Sequence, residues 1–154
     1  SGLLLLILGL EILSSPWVLT VASLIPLGIS IGLAEEYFPQ WKTYFKWFAT
    51  IGFLAIAITS IGGMDTLKKI AVPLFHGVAG LVIFLGPFFA KKAPKGFFWV
   101  GIGGLLIGIG GIALAFLSAG KPLLFFTEDV VMTILTPLLF LMTGAFALGF
   151  AKKG

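Results

Sequence analysis

Five stretches of this chain carry no charged side chain, and each is long enough to approach or exceed the thickness of a lipid bilayer when helical. They cover residues 12–34, 47–64, 70–90, 96–120 and 130–151, with lengths of 23, 18, 21, 25 and 22 residues. A hydrocarbon core roughly 30 Å thick takes about 20 residues of α-helix. Composition agrees, since 59% of residues are apolar and 10% charged, and mean hydropathy is +1.17. Those values lie outside the range of a soluble domain. A sixth apolar piece, at 3–13, is shorter and contains Glu11. The expected fold is therefore all-α: a polytopic transmembrane helix bundle forming a single integral membrane domain over 1–154. It has five long spans plus a short N-terminal apolar helix, six in all.

The run at 96–120 contains GIGGLLIGIGG, six glycines in eleven residues, with Ile and Leu filling the other positions. In water each glycine would cost a helix interior about 1 kcal/mol relative to alanine. In hydrocarbon the backbone has no aqueous competitor, and glycine lets two helix backbones approach closely. Gly104 and Gly108 form a GxxxG pair, Gly111 continues that face at i+7, and Gly101 precedes it at i−3. The stretch reads as a helix-packing seam. A glycine-rich phosphate cradle would need a preceding strand and a polar turn, and neither is present. Gly28 and Gly32 repeat the four-residue spacing near the start of the chain.

Cysteine, arginine and asparagine are absent, and glutamine occurs once, at Gln40. Absence of cysteine removes disulfides, thiolate metal sites and thiol nucleophiles. Depletion of thermolabile amides is a pattern of hyperthermophile proteins. The net charge of +4 comes from lysines dispersed among loops, with no basic stripe to track nucleic-acid phosphates. Their distribution orients the chain. The loops at 35–46 and 91–96 and the C-terminal tail share one side and hold Lys42, Lys46, Lys91, Lys92, Lys95, Lys152 and Lys153; the opposite loops hold Lys68, Lys69 and Lys121. A seven-to-three split predicts that the lysine-rich side, with the C-terminus, is cytoplasmic. Trp41, Trp47 and Trp99 fall at helix ends on that side and Trp17 at the other, as interfacial anchors do.

A degenerate repeat runs through the chain. A glycine-bounded apolar helix is followed by a turn, then a helix with a Pro-Leu step and a small residue. The steps are Pro26-Leu27 with Gly32, Pro73-Leu74 with Gly80, and Pro137-Leu138 with Gly144. Three helical hairpins are expected, each second helix perturbed at its proline. GLLLLILGLEILSSPWVLTVASLIPLGISIG near the start and GGLLIGIGGIALAFLSAGKP near the end carry a resemblance to the HdeD-type acid-resistance membrane proteins, six-helix proteins of bacteria and archaea. The middle unit departs from that pattern, with Met64-Asp65-Thr66 in place of the proline turn. The resemblance implies a small polytopic protein without known catalysis, linked in some members to acid stress. It supplies no catalytic or binding residues.

Few side chains here carry chemistry. His76 is the only histidine, beside Gly77 and Gly80, which leave room for the face of a haem or pigment. Bis-histidine ligation within one chain is impossible, and the preferred reading is a histidine hydrogen-bonded to a neighbouring helix, with no cofactor expected. Glu11 is a candidate intramembrane carboxylate, three and four residues from Ser14 and Ser15. Either hydroxyl could satisfy it, and a raised pKa would suit proton relay or acid sensing; the preferred reading is that Glu11 reaches the interface or lines a subunit contact. Thr127, Glu128 and Asp129 suit the start of the last helix. The aromatic and charged segment at 34–48, broken by Pro39, suits the membrane interface. With no Ser-His-Asp set and no metal cluster to assemble, catalysis is not expected and no metal site is proposed. Two functions remain. One is an HdeD-like protein acting as a homo-oligomer in stress tolerance or permeation. The other is an accessory subunit packed against other membrane subunits of a respiratory or transport complex. In both, the lipid bilayer is a partner and nucleic acid is not.

The lysine split makes a direct topological prediction. A reporter fused after Lys153 should be active on the cytoplasmic side; activity confined to the outer side would reverse the assigned orientation.

Overall fold

The computed structural model describes residues 15–90, 92–118 and 127–151. The piece at 3–13 and Glu11 lie outside them. Among the described residues five α-helices follow one another: α1 (Pro16–Tyr37), α2 (Lys42–Ile61), α3 (Asp65–Phe89), α4 (Phe98–Ser118) and α5 (Glu128–Ala151), with a 3-10 turn at Lys95–Phe97 before α4. No strand occurs among the described residues. The chain divides into two compact units, Ser1–Ile83 and Phe84–Gly154.

Local chemistry explains the helix ends. Proline at the first position of α1 loses nothing by lacking an N–H there, and its φ is already helical. The helix ends at Phe38, which has left helical geometry with φ −132° and ψ 59°, because the residue before Pro39 is sterically pushed out of the helical region. The Trp41 N–H then donates to the Phe38 carbonyl at 2.8 Å, and α2 begins at Lys42. At the other end of α2, Gly63 takes a left-handed φ of 66°. The Met64 N–H reaches back to the Thr59 carbonyl at 2.9 Å, completing a Schellman closure that only glycine adopts without strain. Pro26 and Pro137 lie inside α1 and α5. Both helices run through them.

Four helices are long and apolar enough to cross a membrane: Pro16–Tyr37, Lys42–Ile61, Asp65–Phe89 and Thr133–Ala151 within α5. Helix α4 is 21 residues long, and its described apolar portion, Lys95–Gly110, is shorter. Against six expected spans, the described residues therefore supply four. The expected α4–α5 hairpin is present as a packed pair. In the first unit, α1 packs along α2, a pairing that crosses the boundary the Pro-Leu repeat places between hairpins. The cause is the short turn at Pro39, which folds α2 directly back on α1. A Glu35–Lys46 ion pair bridges the two helices beside it.

Many large apolar residues lie on the outside of the helices, while small and hydroxyl-bearing residues are buried together with a few large ones such as Leu27, Leu33 and Ile56. On α2 the buried face carries Ala49, Gly52, Ile56, Thr59 and Ser60, whereas Trp47, Ile51, Leu54 and Ile58 are exposed. On α1, Thr20, Ser23, Ser30 and Ala34 are buried, and Trp17, Val21, Leu24 and Ile25 are exposed. A helix of a water-soluble domain shows the opposite arrangement. In the first unit, Leu27, Ala49 and Ala79 form a small core, with Ile31 and Phe53 against it. One residue from each of α1, α2 and α3 thus meets at its centre.

Gly63 gives this fold a test. Gly63→Ala should lower stability by about 1 kcal/mol, the cost of a left-handed residue bearing a Cβ, as read from unfolding in detergent. An unchanged unfolding midpoint would contradict the Schellman closure.

Candidate functional site

The glycine-rich helix α4 uses its glycines on two different faces. An ideal Cβ added at Gly103 would lie 2.6 Å from Cε1 of Phe146, and one at Gly110 would lie 2.6 Å from Cδ2 of Leu138. Across the same interface, a Cβ at Gly149 would lie 2.8 Å from the Val100 backbone nitrogen. These contacts pair early α4 with late α5, so the two helices run antiparallel. Gly103 and Gly110 are seven residues apart, two helical turns, and their face lies about a third of a turn from that of Gly104 and Gly108. The α4–α5 seam is therefore built on a different glycine face from the GxxxG pair.

Each predicted packing glycine has a definite place. Gly101 is buried against the end of α3, where an added Cβ would lie 2.9 Å from the Phe84 carbonyl oxygen and 2.6 Å from the Phe88 ring. Gly104 is buried. Gly108 has nothing within 4 Å of an added Cβ, and the same is true of Gly28 and Gly32. Among the described residues these three make no close helix contact. The physical reason is that a four-residue spacing marks a face that can accept a neighbour without specifying one. Gly111 lies within α4, but its surroundings are outside the described side chains.

Spacing did not reveal Gly52, whose added Cβ would overlap the Phe75 ring. Phe75 also packs on Phe48, with ring centroids 5.0 Å apart. The buried hydroxyls were missed as well. Thr20 donates to the Pro16 carbonyl at 2.8 Å, Ser23 to Thr20 at 2.7 Å, Ser30 to Leu27 at 2.9 Å and Thr59 to Ala55 at 2.7 Å. Each bond stays within its own helix, which lets a hydroxyl be buried without a cross-helix partner. Their i, i+3 recurrence on one face of α1 was the available signal.

His76 lies midway along α3, and its Nδ1 is buried with no hydrogen-bond partner of acceptable geometry. The expected hydrogen bond to a neighbouring helix is not formed at that nitrogen. Gly77 and Gly80 have open space beside them, with nothing within 4 Å of an added Cβ. A single imidazole is one ligand only, and among the described residues no group of three His, Cys, Asp or Glu side chains comes together. Glu11, the other candidate polar site, lies outside the described residues. At the start of α3, Lys68 pairs with Asp65 at 2.6 Å in an exposed bridge, a contact of small energetic weight. Thr127 precedes α5, and its hydroxyl accepts a long 3.5 Å bond from the Val130 N–H, the capping role expected of it.

Two glycine substitutions separate seam from open face. Gly149→Ala should destabilise by about 1–3 kcal/mol, because its Cβ meets backbone that cannot rotate away. Gly108→Ala should change stability by less than about 0.5 kcal/mol. Equal melting temperatures for the two variants in detergent would refute the α4–α5 geometry.

No protein-family model matches this chain, and no curated protein or solved structure matches it either.

Proposed function

We propose that this chain is a small, non-catalytic integral membrane protein that self-associates in the bilayer, an HdeD-like homo-oligomer acting in stress tolerance or permeation. The observation that carries the membrane reading is the inverted distribution of side chains. Trp47, Ile51, Leu54 and Ile58 lie outward along α2 while Thr59 and Ser60 lie inward. In water such a face would be an association hazard; in hydrocarbon it is the ordinary lipid-facing surface. Helices α1, α2 and α3 are 22, 20 and 25 residues long, or about 30–38 Å at 1.5 Å per residue. That matches a bilayer core.

Self-association is supported by the exposed face of α1. Gly28 and Gly32 are exposed there, with open space above them and Val21 and Leu24 on the same side. A GxxxG pair with none of the described residues packed against it is placed to receive a helix from a second copy. Large exposed apolar faces and few extramembrane residues also suit an accessory subunit of a larger membrane complex, so the assembly itself must be measured.

Light scattering of the purified protein in mild detergent should show a species larger than one chain. Gly28→Leu with Gly32→Leu should weaken that association roughly tenfold while leaving the melting temperature of the monomer unchanged. Co-purification of a stoichiometric second protein, or an unaltered oligomer in the double variant, would overturn the homo-oligomeric reading.

A further inference from the structure

The second unit is electrically lopsided. Its only acids, Glu128 and Asp129, stand at the start of α5. The far end of that 24-residue helix is about 36 Å away. At that far end the chain turns from α3 to α4, with Lys92 and Lys95 both exposed. The turn is tightly made. The Ala93 N–H donates to the Ala90 carbonyl at 3.0 Å, and the Phe97 N–H to the Pro94 carbonyl at 2.9 Å. Phe97 is buried, with its ring edge-on to Phe150 of α5 at 6.1 Å. The end of α5 is thereby placed beside Lys95. In sequence, Lys91 adjoins Lys92, and Lys152 and Lys153 directly follow Ala151. Two exposed lysines thus stand at this end, three more adjoin its described residues in sequence, and no acid does.

Aromatic rings accompany them. Phe98 stacks on Trp99 with centroids 5.2 Å apart, and Phe88, Phe89, Phe98 and Phe150 are exposed. Helix dipoles do not balance the lysines. The C-termini of α3 and α5 together contribute about one negative charge, and the N-terminus of α4 returns about half a positive one. An excess of roughly four positive charges remains.

We propose that this lysine-and-aromatic end of the second unit binds the phosphates of anionic phospholipids. The inference rests on the membrane reading above and adds a lipid class to it. Clusters of four to eight basic residues next to a membrane helix are drawn to anionic lipid, each contributing a several-fold increase in affinity. Trp99 and the exposed phenylalanines hold the lysines at headgroup depth, because such rings settle at the boundary between hydrocarbon and water. The opposite end lacks this excess, since Glu128 and Asp129 stand there.

The test uses the full chain with Trp99 as the only tryptophan, made by Trp17→Phe, Trp41→Phe and Trp47→Phe, in phosphatidylcholine nanodiscs. Brominated phosphatidylglycerol, added as the minor lipid, should quench Trp99 more strongly than brominated phosphatidylcholine at the same mole fraction. Lys92→Gln with Lys95→Gln should reduce that preference by roughly tenfold or more, whereas Lys68→Gln with Lys69→Gln should leave it unchanged. Equal quenching by both lipids, or a preference that survives Lys92→Gln with Lys95→Gln, would overturn the proposal and assign the lysines to topology or to an acidic protein partner. Absence of quenching by either lipid would overturn the membrane reading itself, and this proposal with it.

Discussion

Close approach of helix backbones is the constraint on which the rest of this structure depends. Lipid tails are as apolar as leucine, so apolar side chains gain little by leaving lipid for a neighbouring helix. What remains is dispersion between well-fitted surfaces, which falls off steeply with a gap of even half an ångström. Glycine and alanine bring those surfaces together. Gly149 against the backbone of Val100, Gly103 against Phe146 and Gly52 against Phe75 are the places where an added Cβ would have no room. Large rings fill the spaces that the glycines leave.

The same constraint explains why hydroxyl-bearing residues are buried between apolar helices. Thr20, Ser23, Ser30 and Thr59 are small enough for the helix interface, and each satisfies its hydroxyl on its own helix. A leucine in those positions would hold the helices apart. Bulky residues are displaced outward, where lipid accommodates any shape. Ser60 and His76 are the buried exceptions, each with a side-chain atom lacking a hydrogen-bond partner. In so apolar a setting such atoms are costly. His76 stands beside the open positions of Gly77 and Gly80 on α3.

Charge is arranged along a different axis. Within each helix charge is nearly absent, and the lysines gather where helices end. Among the described residues, the ion pairs Glu35–Lys46 and Asp65–Lys68 both lie at helix ends and are solvent-accessible. Neither is a source of much stability. The lysines therefore stand apart from the packing, which is left to the small residues.

Much of this was legible in the sequence, because length and hydropathy are properties of a segment taken alone. The uncharged runs located the helices of the described residues, since a backbone in hydrocarbon must satisfy its own hydrogen bonds. Pro16, Pro39 and Gly63 marked ends whose local sterics need no neighbour. Partner choice was not legible. GIGGLLIGIGG offers glycines all around one helix, and spacing alone favoured Gly104 and Gly108. The fold instead placed Phe146 and Leu138 against Gly103 and Gly110, because the residues filling a glycine groove come from another helix at a register the groove does not encode. The pairing of α1 with α2 was decided differently, by the short turn at Pro39, whose geometry outweighed the hairpin order that the Pro-Leu repeat suggested.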